Sequence, residues 1–401
     1  MQSQPTSPWY KEQFRYSVLG RTVLTHVPHD VFSTQRIDEG TLLLLNHLPE
    51  SPPDGIQSVL DIGCGYGALS LPLALREPQA RFDLVDRDLL AVEWANQNAR
   101  LNGLQNVQAI GSLGYQGLPS NGLRYDLILC NVPARIGSPF IQDLMERGQQ
   151  YLSAQGKILL VVIRDLCPVV HEIADRRQLK MNCLVEGPRH SVFAFPFQQL
   201  KFNILDEVSL YDRDQVQFQD MTFDRPFDFG GDDVKRLKFG LPVLLDALPR
   251  QADFSGSVFC FRSGYGIVPI LIQKKWPNAK ITTSDRDLMA RRYILKNAEQ
   301  NLKFNHHIDC REEFHFIEQN LPEIQYDWIM GELSSSAGSA VCLQELAWME
   351  AHLKPGGQAC VYMLEKIESD WIQGKYTKIL SRDGYTVIRI SKPTATTGAR
   401  L

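Results

Sequence analysis

The 401-residue chain has no excess of basic charge: 42 Lys and Arg stand against 46 Asp and Glu, a formal net charge of −4. The acidity is shared, with 19 acids to 17 bases in residues 1–200 and 27 to 25 in residues 201–401. No global field therefore draws the protein to nucleic acid. The local clusters Arg176, Arg177, Lys180 and Arg291, Arg292, Lys296 read as solvated helix faces. The eight cysteines form no Cys-x-x-Cys pair and no regular framework, which argues against a disulfide scaffold, and no metal is expected. Cys64, Cys130 and Cys260 lie in apolar segments and suit buried, reduced thiols. There is no apolar run of membrane-spanning length and no apolar leader, so no membrane partner is expected and a cytoplasmic location is. The polar, proline-containing start, Met1–Trp9, reads as a flexible tail. With 44% hydrophobic and 22% charged residues, the remainder has an ordinary globular composition.

What the chain does have is an internal repeat. Val59-Leu60-Asp61-Ile62-Gly63-Cys64-Gly65-Tyr66-Gly67 returns as Val258-Phe259-Cys260-Phe261-Arg262-Ser263-Gly264-Tyr265-Gly266. Each copy is followed at the same distance by Asp-Arg-Asp-Leu, at Asp86–Leu89 and Asp285–Leu288, and then by paired asparagines, Asn98 and Asn102, Asn297 and Asn301. Ser58–Asn102 aligns with Ser257–Asn301 without a gap, and about a third of the positions are identical, the signature of a duplication. Two domains are expected, 1–198 and 199–401, joined near Gln198–Glu207.

Apolar runs at Ser58–Ile62, Phe82–Val85, Val107–Ile110, Leu127–Cys130 and Ile158–Ile163 predict buried parallel strands. Helical patterns at Ala68–Arg76, Leu89–Asn102 and Pro139–Leu152 alternate with them, which predicts an open sheet covered on both faces. Leu179–Val185 and Ser191–Phe197 add two further strands. The second half repeats the plan at Ser257–Phe261, Lys280–Thr283, Trp328–Met330, Gln358–Met363 and Tyr385–Ile390, with Leu353–Gly357 as a turn. Helices at Glu39–Leu48 and Asp233–Leu248 preface the two halves.

The loop Asp61-Ile62-Gly63-Cys64-Gly65-Tyr66-Gly67 follows a strand and opens a helix. Its alternate glycines let a ligand approach the backbone closely. The nicotinamide fingerprint has the spacing G-x-G-x-x-G; here it is G-x-G-x-G, with an acid two residues before the first glycine. A carboxylate there suits a ligand with an ammonium group. These residues resemble motif I of class I S-adenosylmethionine-dependent methyltransferases. The resemblance implies tandem Rossmann-like α/β domains, each with an open, mostly parallel sheet and a reversed last strand. It makes S-adenosylmethionine the cofactor, held by Asp61, Gly63, Cys64, Gly65 and Gly67. Asp86, with Arg87 beside it, matches the acid that bonds both ribose hydroxyls. Ser112 and Leu113 lie where the family contacts adenine.

The fourth strand ends in Asn131-Val132-Pro133-Ala134, similar to the Asn-Pro-Pro-aromatic tetrapeptide of amino-group methyltransferases. An aromatic or amide amine is a poor nucleophile because its lone pair is delocalised. An Asn side-chain oxygen and a backbone carbonyl, both accepting from the amine, favour a tetrahedral nitrogen aimed at the methyl group, and positioning supplies much of the rate. Asn131, Val132 and Pro133 are thus the catalytic candidates, with Asn131 also bordering the cofactor. Ala134 replaces the aromatic that stacks on the target base, so stacking would fall to Phe32, Tyr115 or Arg135. Upstream, Val31–Leu45 resembles the preface of the "methyltransferase small" (MTS) family. In relatives this segment lines the cofactor pocket, which makes Asp38, Gly40 and Thr41 candidates: Thr41 is assigned to the cofactor, and Asp38, with Phe32 and Arg135, to the substrate. Asp38 also reads as a helix cap.

The second copy has lost the chemistry: Cys260 replaces Asp61, Arg262 replaces Gly63, and Glu332-Leu333-Ser334-Ser335 replaces Asn131–Ala134. It is expected not to bind cofactor. MTS enzymes acting on guanine N2 of ribosomal RNA also pair an active with a degenerate copy, although there the degenerate copy comes first. The leading expectation is an N-methyltransferase acting on guanine in ribosomal RNA. The alternatives are a methyltransferase for a small molecule or protein side chain, and a non-catalytic RNA-binding or assembly protein. Nothing in the sequence sets an oligomeric state; a monomer is the simplest expectation.

Overall fold

Each half of the chain begins with a two-stranded ribbon that the sequence did not foretell. Tyr10–Val18 (β1) and Arg21–Pro28 (β2) pair antiparallel around Leu19 and Gly20, both in the left-handed region at φ 56° and 69°, the twist a tight hairpin turn requires. Glu39–Asn46 (α1) follows, capped by Asp38. The structure is a computed structural model that describes residues 7–33, 35–48, 55–118, 122–200, 209–227, 236–248, 253–302, 306–312, 324–365 and 376–394.

The apolar runs then form the expected sheet. Ser58–Ile62 (β3), Arg81–Asp86 (β4), Val107–Gly111 (β5), Tyr125–Asn131 (β6) and Leu152–Ile163 (β7) are parallel, and Asn182–Glu186 (β8) and His190–Pro196 (β9) complete it in the order β5-β4-β3-β6-β7-β9-β8. The last strand, β9, runs antiparallel to both neighbours. The chain order reverses at β3, which brings the ends of β3, β4 and β6 together, the crevice in which open sheets of this kind bind ligands. The intervening helices are Ser70–Arg76 (α2), Leu89–Leu101 (α3), Ser138–Glu146 (α4) and Cys167–Arg177 (α5).

The second half repeats this: a ribbon of Asp212–Phe218 (β10) and Met221–Pro226 (β11), then Leu241–Asp246 (α6), Ser257–Phe261 (β12), Ile267–Lys275 (α7), Lys280–Asp285 (β13), Leu288–Leu302 (α8), Ile308–Glu312 (β14), Tyr326–Glu332 (β15), Ser339–His352 (α9), Leu353–Leu364 (β16), Thr377–Arg382 (β17) and Tyr385–Ser391 (β18). Its sheet order, β14-β13-β12-β15-β16-β18-β17, is that of the first. The chain divides into two compact units, Tyr10–Arg213 and Met1–Trp9 with Asp214–Leu401. Of the expected junction at Gln198–Glu207, residues 201–207 lie outside the described residues, as do 233–235 of the Asp233–Leu248 helix.

Several boundaries differ from the sequence reading, each for a local reason. Trp9 is not tail: its ring is buried and stacks beneath the Arg286 guanidinium, 5.4 Å from the centroid. The helix expected from Ala68 starts at Ser70, because Gly63, Gly65 and Gly67 are all left-handed and hold the chain out of helix. The helix expected to reach Leu152 stops at Glu146. Beyond it Gly148 passes so close to Tyr115 and Ile158 that a Cβ would collide with both, and Leu152 already belongs to β7. Leu353–Gly357, expected as a turn, is the start of β16.

The paired asparagines serve this architecture. The Asn98 side chain accepts from His26 N and donates to His26 O and Tyr66 O, at 2.9 Å each. Asn102 likewise bonds Leu24 N and Leu24 O. Together they clamp β2 onto α3 and steady the glycine loop. Asn297 and Asn301 repeat these bonds with Asp224, Tyr265 and Thr222. Their retention in both halves is explained by backbone groups that would otherwise lack partners.

Candidate cofactor and acceptor site

The glycine loop turns between β3 and α2 through three left-handed glycines, at φ 76°, 57° and 94° for Gly63, Gly65 and Gly67. Gly63 N and Cys64 N donate to Val85 O at 2.8 and 3.1 Å, tying the loop to β4. A Cβ on Gly63 or Gly65 would meet nothing within 4 Å, so the loop faces open space there. Cys64 is turned inward and buried.

Asp61 lies beneath the loop, 1% exposed. One carboxylate oxygen accepts from the Ser70 hydroxyl at 2.7 Å; the other is buried and has no hydrogen-bond partner among the described residues. Burial, opposed by the Ser70 bond and reinforced by the nearby Asp86 charge, pushes its pKa up to about 7. A buried acceptor of this kind suits a cationic donor, as the ammonium of S-adenosylmethionine would be. Ser70 escaped the sequence reading, because a serine at a helix start looks like a cap.

Asp86 ends β4. Its carboxylate accepts from Gly65 N at 2.9 Å and Asp88 N at 2.9 Å. An ionised carboxylate offers about four acceptor sites, the chemistry that a vicinal diol calls for. Arg87 follows, half-exposed. After β5, Ser112 is buried, with its hydroxyl donating to Gly114 O and accepting from Gly117 N at 2.8 and 2.7 Å. That hydroxyl shapes the turn, and Leu113 beside it is buried too.

At the end of β6, Asn131 is half-buried. Its amide nitrogen donates to Asp38 Oδ2 at 2.9 Å and Thr41 Oγ1 at 3.1 Å. The structure thus brings Asp38, Thr41 and Asn131 together from elements some ninety residues apart. Val132 is buried, its N–H donating to Val161 O at 2.9 Å, and Pro133 accepts from Ile136 N at 3.1 Å. Ala134 and Arg135 are exposed on the turn. Phe32 is 71% exposed, between the left-handed Asp30 and Ser33. The Tyr66 hydroxyl donates to Ser33 O at 3.0 Å, which ties this segment to the glycine loop. Tyr115 is unavailable for stacking on a substrate: it is 2% exposed, lies against Tyr151 with centroids 5.0 Å apart, and donates to Leu144 O.

Residues 22–176 match the methyltransferase small domain. That segment carries the family's domain. Its class uses S-adenosylmethionine, and the buried Asp61 acceptor and open glycine loop fit that cofactor. Over 168 residues the chain is 33% identical to the ribosomal RNA large subunit methyltransferase G of Pseudomonas aeruginosa, covering 41% of this chain and 43% of that protein. Over 137 residues it is 37% identical to the ribosomal RNA small subunit methyltransferase C of Pseudomonas entomophila, covering 33% and 39%. Over 132 residues it is 33% identical to the uncharacterised protein YbxB of Bacillus subtilis, covering 33% and 64%. The chain therefore spans less than two thirds of the curated relatives it matches. Among solved structures, a T. thermophilus 16S rRNA N2 methyltransferase in complex with AdoMet and guanosine aligns over 96% of this chain and 99% of its own, with a TM-score of 0.66 and 17% identity. That likeness is one of fold, and it extends through both halves.

The second methyltransferase-like half differs where the chemistry would sit. Arg262, in the left-handed region at φ 49°, stands in the place of Gly63. Its guanidinium donates to the Ser334 hydroxyl at 2.7 Å, and Ser334 stands in the place of Pro133. Ser334 donates through its hydroxyl to Glu345, whose other oxygen accepts from Ser334 N at 2.9 Å. Glu345 is wholly buried and occupies the place of Leu144. Three substitutions thus form one network across the former crevice. Asp285, by contrast, accepts from Gly264 N at 3.0 Å and Asp287 N at 3.1 Å, the bonds Asp86 makes.

Proposed function

We infer that this protein transfers a methyl group from S-adenosylmethionine to the exocyclic amino group of a guanine in ribosomal RNA. One observation carries the reading: the Asn131 amide nitrogen is engaged by two oxygens, which directs its carbonyl oxygen to accept from an incoming amine. When bound, S-adenosylmethionine supplies an electrophilic methyl: the amine lone pair takes its carbon, the C–S electron pair stays on sulfur, and the surplus amine proton leaves to solvent. Asn131 Oδ1, with the neighbouring Val132 carbonyl, accepts from the amine and points its lone pair outward. Arg135 follows on the same exposed turn, suited to phosphate, and the exposed Phe32, in a segment tied to the glycine loop, is suited to a base. A cytoplasmic location goes with this substrate. Residues 199–401 would serve RNA binding or the packing of the chain.

The test is transfer of labelled methyl into ribosomal RNA from cells lacking the gene, followed by nucleoside mapping. Label in the guanine amino group is expected, with Asn131→Ala slower on the order of a hundredfold. RNA affinity should fall steeply with salt. Label recovered in protein or metabolites, or a flat salt response, overturns the RNA substrate. Phe32→Ala should raise KM for RNA roughly tenfold, since stacking on one base contributes about 1–3 kcal/mol. Its melting temperature and affinity for S-adenosylmethionine should be unchanged, because the ring is exposed.

A further inference from the structure

We propose that Asp38, assisted by Thr41, positions Asn131 and so makes the site select an amine over a carbonyl oxygen. The proposal rests on the N-methyltransferase reading above. A side-chain amide has two ends of similar size and opposite chemistry, and nothing in its own shape decides which faces the acceptor. Here Asp38 decides. Its Oδ2 accepts from Asn131 Nδ2, and a carboxylate oxygen cannot donate, so a flipped amide would set oxygen against oxygen. Thr41 Oγ1 accepts from the same nitrogen. The remaining oxygen is then an acceptor, which welcomes the N–H of an exocyclic amine and repels the keto oxygen on the same base.

Asp38 has a second task, as cap of α1, where the same Oδ2 accepts from Gly40 N at 2.9 Å and Thr41 N at 3.2 Å. Capping alone needs no particular neighbour. The close approach to Asn131 comes from Gly40: a Cβ there would stand 2.9 Å from Asp38 Oδ2, 3.0 Å from the His190 ring and 3.2 Å from Val161. Val161 is the ladder partner of Asn131. The absent side chain lets the start of α1 settle over the ends of β7 and β9, which carries Asp38 to the end of β6. The helix cap and the catalytic amide thereby share one oxygen.

The two tasks separate in Asp38→Ser. A serine hydroxyl caps a helix about as well as an aspartate but is too short to hold Asn131 as well. The expected result is a melting temperature close to the parent's, affinity for S-adenosylmethionine within about twofold by calorimetry, and single-turnover methylation of ribosomal RNA slower on the order of tenfold to a hundredfold. On an Asn131→Ala background the same substitution should cause no further loss. Thr41→Val, which leaves the cap intact, should show a smaller loss that also vanishes on that background. It decides the matter if the serine variant does not fold, and its failing to slow transfer then overturns the proposal. A parent-like rate for Asp38→Ser, beside an Asn131→Ala that is impaired, removes Asp38 as a positioning residue and leaves the methyltransferase reading standing. So does a full additional loss on the Asn131→Ala background, or a collapse of cofactor affinity. An unimpaired Asn131→Ala defeats the underlying reading instead.

Discussion

Affinity for S-adenosylmethionine should weaken roughly twentyfold between pH 7.5 and pH 5.5 and change little just above 7.5. Asp61 binds a cationic ammonium only as a carboxylate, and its folded pKa is about 7. Below that value each pH unit costs about a factor of ten, because a proton must leave before the ligand is held. Near pH 8 the ligand's own amino group begins to lose its proton, which ends the gain. Calorimetry across the range, with proton release read from buffers of different ionisation enthalpy, measures this directly. Asp61→Asn should bind at least a hundredfold more weakly at pH 7.5 and show no such slope. The same carboxyl affects stability with a defined sign. Its folded pKa lies above the unfolded value, so its contribution is lost as pH rises from about 4 to 7. Asp61→Asn should therefore stabilise the ligand-free protein at pH 8 and leave it unchanged near pH 4. Level affinity from pH 5.5 to 7.5 would place the ammonium elsewhere.

Arg262→Gly, which restores the loop glycine of the first half, should create no second cofactor site. Cys260 still stands where the acid is needed. It should instead destabilise the second half on the order of 3 kcal/mol, since the buried Ser334–Glu345 pair loses the guanidinium that bonds Ser334. For a unit of this size that corresponds to a melting point lower by roughly 6–12 °C. The direction is informative, because glycine at φ 49° removes backbone strain and would otherwise stabilise. Adding Glu345→Leu, the residue type at Leu144, should recover most of the loss. Calorimetry with S-adenosylmethionine and thermal denaturation of the whole chain read the two results. Stability unaffected by Arg262→Gly would mean that the arginine fills space without neutralising the glutamate.

Much of the candidate site was legible because the proposed ligand would dictate residue types in order along the chain. Asp61, the three glycines, Asp86 and Asn131 each end or follow a strand, and strands announce themselves by apolar runs. What was not legible is what those residues do to one another. Asp38 reads equally as a cap or as a substrate contact, and only the meeting of α1 with β6 shows one oxygen serving both. Ser112 was expected at adenine, and its hydroxyl is engaged in the turn it stabilises. Glu345 lies in an otherwise core-forming helix, so its link through Ser334 to Arg262, eighty-three positions earlier, has no local signature. The ribbons β1–β2 and β10–β11 were missed although Phe14-Arg15-Tyr16-Ser17-Val18 alternates, because β2 and β11 are anchored by asparagines some seventy or more positions away.

The bond from Asp285 to Gly264 N has a consequence for how copies of this fold decay. In both halves the acid at the end of the second strand is bonded to the loop, so it braces the loop whether or not a ligand is held. The presence of that acid is therefore no sign of a cofactor site. The telling positions are the buried acid under the loop and the first glycine, since Cys260 and Arg262 replace them while the Arg262 backbone keeps the left-handed turn and the bond to the neighbouring strand.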